Sequence, residues 1–108
     1  MKTENIFANI PNIIPEELFE RLLSEKNLKI ERIVSEGHVT PDTQWCDQPW
    51  HEWVLVVKGQ ALLAYEDGSK LAMQEGDYVL IPAHTRHRVE WTPPDSKTIW
   101  LAIHFLGS

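Results

Sequence analysis

The feature that most constrains this fold is a series of short apolar segments separated by turn residues, which fills the chain from residue 28 onward. Strings such as "WVLVVKG", "DYVLIP" and "TIWLAIHF" are rich in β-branched, aromatic and aliphatic residues, as is typical of strands. Asp67 and Gly68 form the dipeptide that most strongly favours a hairpin turn. The two prolines of "TPPDS" indicate a loop, because proline cannot pair inside a sheet. The pattern predicts an all-β fold.

One short N-terminal helix is predicted before these strands, in the segment "IPEELFERLLSEKN". Pro15 suits the first position of a helix. Leu18, Phe19, Leu22 and Leu23 follow at a spacing that places them on one helical face. We therefore expect an amphipathic helix of about ten residues at this point in the chain.

The length of 108 residues corresponds to a single domain. After Asn27 the apolar period changes from helical to alternating, which divides the domain into two parts. We expect an N-terminal arm with the short helix over residues 1–27 and a β-barrel over residues 28–108.

Composition and charge exclude several classes of function. No apolar run approaches the roughly 20 residues that a membrane span requires. The net charge of −6, with few and scattered basic residues, disfavours binding to nucleic acid. The N-terminus lacks a secretory signal pattern, so a cytoplasmic protein is expected. A single cysteine, Cys46, excludes an intrachain disulfide.

Three predicted strands are apolar on both faces, at residues 53–57, 78–81 and 99–103. A sandwich of this size cannot cover both faces of so many strands by itself. Since most oligomers are symmetric pairs, we predict a homodimer formed through a sheet face.

The spacing of glycines and polar residues resembles that of the cupins. This family of double-stranded β-helix (jelly-roll) barrels has the motifs G(x)5HxH(x)3-4E(x)6G and G(x)5PxG(x)2H(x)3N. Glu52, six residues and Gly59 match the end of the first motif. Gly76, five residues, Pro82 and then His87 match the second. The resemblance spans residues 28 to 106 and implies a small single-domain cupin of the conserved-barrel type.

The resemblance also implies a metal site, from which this chain departs. In cupins, two histidines and the glutamate of the first motif converge with the last histidine on one metal. Here the histidine positions hold Cys46 and Gln48, or Trp45 and Asp47, depending on the spacing that is chosen; the candidate ligands are therefore His87, Glu52 and Gln48 as the favoured set, with Cys46 and Asp47 as alternatives. Such a nitrogen and oxygen set suits iron, manganese, nickel or zinc.

Four further residues are candidates for lining a pocket. Alternation along the strand places Trp91 on the same face as His87. His84 follows Pro82 in a turn, and Trp45 lies in the loop before Glu52. His104 lines the interior if its face of the last strand is the inner one, which the sequence leaves open.

Two hypotheses for function follow. The first is a metal-dependent enzyme, of dioxygenase, isomerase or lyase type, that acts on a small organic molecule. The second is a metal-free module that binds or senses a small ligand. The identity of the fold does not decide between them.

Overall fold

A computed structural model describes residues 1–106. In this part of the chain there are eight β-strands and no helix. The strands are β1 (Leu18–Glu25), β2 (Leu28–Ser35), β3 (His51–Lys58), β4 (Gln60–Tyr65), β5 (Lys70–Gln74), β6 (Tyr78–Ile81), β7 (His87–Trp91) and β8 (Thr98–Phe105). Within these residues, nothing forms a helix that could cross a membrane. The last two residues of the predicted barrel, 107 and 108, lie outside the described residues.

The strands form two antiparallel sheets, with the orders β1-β2-β8-β3-β6 and β5-β4-β7. Apolar side chains from both sheets meet between them, which gives the predicted all-β jelly-roll barrel. The core consists of Val54, Val56, Ala61, Leu63, Met73, Ile81, Trp100 and Ala102. Asp67 and Gly68 form the predicted hairpin turn between β4 and β5, where Gly68 has a φ of 94°.

The predicted N-terminal helix is wrong, because its residues form β1. This strand pairs with β2 through a connection of only two residues, Lys26 and Asn27, and so belongs to the larger sheet. The register shifts between Arg21 and Leu23, which leaves Leu22 as the extra residue of a β-bulge. A bulge interrupts strict alternation, so the apolar spacing along this strand imitates that of a helix.

The first part of the N-terminal arm, around Ile6 and Ala8, lies on the outer side of the larger sheet and is held there by Arg32. The Arg32 side chain is almost fully buried and donates hydrogen bonds to Glu20, at 2.8 Å, and to the carbonyl oxygens of Ile6 and Ala8, at 2.9 and 2.6 Å. The arm therefore covers part of a sheet face that would otherwise be exposed.

Candidate functional site

The barrel contains a partly enclosed cavity of about 320 Å³. This volume is at the lower end of the range of small-molecule pockets. Its polar lining residues are Glu17, Glu31, Thr40, Cys46, Gln48, Glu52, His87 and His104, and its apolar ones are Phe19, Ile33, Val54, Leu63, Ile81, Val89 and Trp100. A few polar groups against apolar walls are the usual composition of a binding pocket.

Glu52 occupies the second position of β3 and points into the cavity. Alternation along this strand places Val54 and Val56 on the same inner face, where both are buried. Glu52 itself is only 9% exposed. A carboxylate this deeply buried requires polar partners, since the desolvation of an isolated charge is costly.

His87 begins β7 and provides one of these partners. Its Nε2 atom lies 3.5 Å from Glu52 Oε1, and its Nδ1 atom lies 2.8 Å from the carbonyl oxygen of Thr85. A carbonyl only accepts, so Nδ1 carries a hydrogen and Nε2 faces the carboxylate. Burial alone would lower the pKa of His87, but the contacts with Glu52 and the Thr85 carbonyl and the charge of Glu52 together raise it.

His104 faces the cavity from β8, so its face of the last strand is the inner one, which the sequence leaves open. It lies opposite Glu52 in the strand register, and its Nε2 atom is 3.7 Å from Glu52 Oε2 and 3.2 Å from Glu31 Oε1. This buried nitrogen has no partner with the geometry of a hydrogen bond. It is therefore available to a ligand in the cavity.

Glu31 is one of three polar lining residues that sequence reasoning misses, the others being Glu17 and Thr40. In the sequence it alternates with apolar residues in a predicted strand, which is the pattern of a solvent-facing side chain. Its position beside His104 depends on the pairing of β2 with β8, where Glu31 lies opposite Ala102. No local signal in the sequence reports that pairing.

The loop before β3 supplies Gln48 and Cys46. The Gln48 side-chain amide donates a hydrogen bond to Glu52 Oε1 at 3.1 Å. Cys46 forms an isolated β-bridge with His87, with backbone bonds of 2.7 and 3.2 Å in the two directions. Burial, followed by the charge of Glu52, raises the pKa of the Cys46 thiol and keeps it protonated.

The other candidates from the sequence do not line the cavity. Asp47 and His84 are exposed and contact each other outside it, with 3.0 Å between Oδ1 and Nδ1. Trp45 lies against Arg88, whose guanidinium carbon is 4.7 Å from the ring centroid. These contacts fasten the loop before β3 to the segment around β7 from the outside.

Trp91 also lies outside the cavity lining and is 43% exposed, contrary to the expectation from alternation. In the pairing of β4 with β7, Leu63 lies opposite Val89 and Leu62 lies opposite Trp91. Glu90 is thus the extra residue of a bulge, which turns Trp91 away from the face that His87 and Val89 share.

Residues 33–104 match the family described as the cupin domain. This chain is a cupin. A crystal structure of a provisionally assigned mannose-6-phosphate isomerase from Ralstonia eutropha JMP134 is 44% identical, with a TM-score of 0.93 over 99% of this chain and 100% of that one. A cupin superfamily protein from Desulfitobacterium hafniense DCB-2 is 16% identical, with a TM-score of 0.75 over 91% and 84% of the two chains, and shares the fold. No curated protein has a significant match to the chain.

The cupin metal site is altered here in both residues and arrangement. Among residues 1–106, no group of three or more His, Cys, Asp or Glu side chains is arranged to hold a metal ion. Glu52, His87 and Gln48 do lie together, but the Gln48 amide presents its nitrogen to the carboxylate, whereas a metal would bind its oxygen. As they lie, these side chains pair with one another.

Proposed function

We propose that this cupin binds a small organic molecule in its barrel cavity and isomerises it by proton transfer. Glu52 acts as the base, and His87 acts as the acid. The observation that carries the proposal is the Glu52–His87 pair, with 3.5 Å between Oε1 and Nε2, inside a largely apolar cavity. A positioned carboxylate and imidazole are common partners in general acid–base catalysis.

The reaction that suits this pair is the interconversion of an aldehyde or ketone sugar with its isomer. Glu52 removes the proton from the carbon next to the carbonyl group, while His87 protonates the carbonyl oxygen, which gives an enediol. Glu52 then returns its proton to the former carbonyl carbon. The hydroxyl group on the adjacent carbon gives its proton to the imidazole and becomes the new carbonyl group. Overall nothing is oxidised or reduced, so the reaction requires no external oxidant or reductant.

Two further observations support this assignment. The raised pKa of His87 favours the protonated imidazole that the first step requires. The relative from Ralstonia eutropha, which is 44% identical, carries the name of a sugar isomerase. His104 Nε2 lies near the same carboxylate without a hydrogen bond of its own, so it can orient a substrate hydroxyl group.

Deuterium exchange tests the proposal across a range of candidate substrates at once. The protein is incubated in D₂O with a panel of aldoses and ketoses, and loss of the proton next to the carbonyl group is followed by NMR. We expect exchange for at least one sugar and a loss of about 100-fold or more in the Glu52→Gln variant.

Glu66→Gln is the matched control, because Glu66 is an exposed carboxylate that pairs with Arg86 outside the cavity. Its exchange rate should equal that of the unchanged protein. Exchange that persists in Glu52→Gln, or no exchange with any sugar in the panel, contradicts the proposed isomerase.

A metal-free binding module is the second candidate, favoured by the pairing of Glu52 with Gln48 and His87. In that case, a sugar would shift the NMR signals of the cavity residues without exchange. The metal-dependent alternative predicts close to one transition metal per chain after purification without chelator. We expect elemental analysis to find well below that amount.

A further inference from the structure

The cavity has an unusual balance of charge for a protein whose relative is named for a phosphorylated sugar. Three carboxylates line it, those of Glu17, Glu31 and Glu52. None of the lining residues that the structure describes is lysine or arginine. The cationic partners within the lining are thus limited to the two imidazoles, of His87 and His104.

Three arginine side chains near the barrel are engaged elsewhere, and Lys29, opposite His104 in the strand register, lies over the Trp50 ring at 4.8 Å. Arg32 binds Glu20 and the N-terminal arm on the outer face of the sheet, and Arg86 pairs with Glu66. Arg88 donates to the Asp42 carbonyl oxygen and lies against Trp45, outside the cavity. None of these guanidinium groups is directed at the cavity.

Arg21 is the basic residue that contacts a cavity carboxylate, at 3.7 Å between its Nε and Glu31 Oε2. Its side chain is 48% exposed on the edge strand β1, and it does not line the cavity. This pair is partly exposed, with 18% of the Glu31 side chain accessible, so water and salt screen it in part. It leaves the negative character of the interior largely in place.

The groups that usually bind phosphate are therefore missing from the described lining. Phosphate is recognised by arginine, by lysine or by the N-terminus of a helix, and residues 1–106 form no helix. Burial raises the pKa of Glu17, and its hydrogen bond from Ser35 and the charge of His38 only partly oppose this. A dianionic group in this cavity would face Glu31 and Glu52, and in the described lining the imidazoles of His87 and His104 are the groups that could oppose their charge.

One buried group points to the kind of ligand that does fit. His104 is 8% exposed, and its Nε2 atom is aimed into the cavity without a hydrogen-bond partner. It lies beside the carboxylate oxygens of Glu31 and Glu52, which accept hydrogen bonds, so this cluster of three groups suits a ligand that carries donors. Trp100 and Ile33 provide apolar surface beside this cluster for a carbon skeleton.

We infer that the cavity takes a small molecule that is uncharged or cationic, rich in hydroxyl or amine donors, and free of phosphate. This inference rests on the proposed function, in that it names the class of substrate for the same site. The chain would then act on a different substrate class from the one that gives its 44% identical relative its name.

Cys46 allows a direct test of the charge selectivity. It is the single cysteine of the chain, it is exposed, and it also lines the cavity. Two methanethiosulfonate reagents of similar size, one with a trimethylammonium group and one with a sulfonate group, are reacted with the protein at low ionic strength. Each rate is divided by the rate of the same reagent with 2-mercaptoethanol, a neutral thiol.

We expect the normalised rate of the cationic reagent to exceed that of the anionic one by about tenfold, and salt to reduce the difference. The ratio does not depend on the fraction of thiolate, because both reagents attack the same thiol. Glu31→Gln and Glu52→Gln should each lower the ratio, whereas Glu66→Gln, outside the cavity, should leave it unchanged. Cys46→Ser should abolish labelling.

An anionic reagent that reacts as fast as the cationic one, or faster, overturns the inference. Protection of Cys46 by millimolar mannose 6-phosphate against the neutral reagent methyl methanethiosulfonate also overturns it. The result is separable from the isomerase test: deuterium exchange without charge selectivity removes this inference alone, and selectivity without exchange removes the proposed function alone.

Discussion

The two faces of the five-stranded sheet differ in a way that alternation alone does not reveal. On β3, Glu52, Val54 and Val56 point inward, whereas Trp53 and Leu55 point outward. Both faces are thus mostly apolar, and the buried carboxylate is on the inner one. The two faces therefore differ in what surrounds them: the inner face packs on the second sheet and surrounds the cavity, whereas the outer face leaves large apolar side chains accessible.

The outer face is covered only in part by the N-terminal arm. Strand register places Leu80 and Ile103 beside Trp53, and Tyr78 and Leu101 beside Leu55. Tyr78 is 65% exposed and Leu80 is 50% exposed. Exposed apolar surface of this kind marks an interaction site. We propose that a second copy of the chain covers it, as the homodimer predicted from the sequence.

The largest loss of stability is expected for a substitution in the packed part of the inner face. Val56 is fully buried, and Val56→Ala should lower the free energy of unfolding by about 2–3 kcal/mol through lost burial and a residual cavity. Val57→Ala removes the same atoms from the neighbouring, half-buried position and should cost under about 1 kcal/mol. Urea unfolding of both variants measures the difference. Equal losses would contradict the contrast between the two faces.

Among the polar residues of the outer face, replacement of Arg32 should lower the stability of the fold most. Arg32→Ala removes the hydrogen bonds to Glu20 and to the arm, and should cost about 2 kcal/mol. It should also expose residues 1–12 to proteolysis. The comparison variant is Arg21→Ala, which breaks a partly exposed ion pair with Glu31 and an exposed hydrogen bond to Ser24, and it should cost under about 1 kcal/mol. An arm that remains protease-resistant in Arg32→Ala would contradict this account.

The proposed dimer is tested by a charge on the outer face. Leu80→Glu should weaken self-association by about tenfold or more, because a carboxylate would have to be desolvated in the interface. Sedimentation velocity at micromolar concentration should show a dimer for the unchanged protein and for Gln74→Glu, an exposed position on the smaller sheet. An unchanged protein that sediments as a monomer would remove the proposal.

The smallest of these effects is expected for the pKa of His87. Glu52→Gln should lower the pKa of His87, because burial then acts with less opposition. NMR titration of the imidazole measures this directly, and Asp47→Asn, outside the cavity, should leave the pKa of His87 unchanged.

The contact between Glu52 and His87 also makes the stability of the folded protein depend on pH. Because folding raises the pKa of His87, its stabilising contribution is full below the unfolded-state value of about 6.5 and is lost as pH rises through the folded-state value. Between pH 6 and pH 8, the unchanged protein should therefore lose more stability than Glu52→Gln. A steeper loss in the variant would be the opposite result.

Much of the fold could be predicted because it depends on local signals. The turn at Asp67 and Gly68 and the short apolar runs predict strands whatever their pairing in the sheets. β1 could not be predicted in this way, because the bulge at Leu22 produces helical spacing in a segment whose conformation is decided by its pairing with β2. Tertiary pairing therefore overrides the local pattern there.

The site can be predicted to a similar extent and for similar reasons. Glu52 and His87 lie together as the motif spacing implies, with Gln48 beside them. Glu31 escapes prediction because its inward position follows from the register between β2 and β8. The proposed roles of Glu52 as base and His87 as acid are predictions that the variants test.

The β-bridge between Cys46 and His87 has a consequence for how the protein responds to its ligand. The backbone at Cys46 is hydrogen-bonded to the backbone of the residue that carries the imidazole, so we expect a molecule that displaces the loop before β3 to shift His87 as well. Occupancy of the barrel should then be readable from outside, as a change in the reactivity of a single sulfur atom.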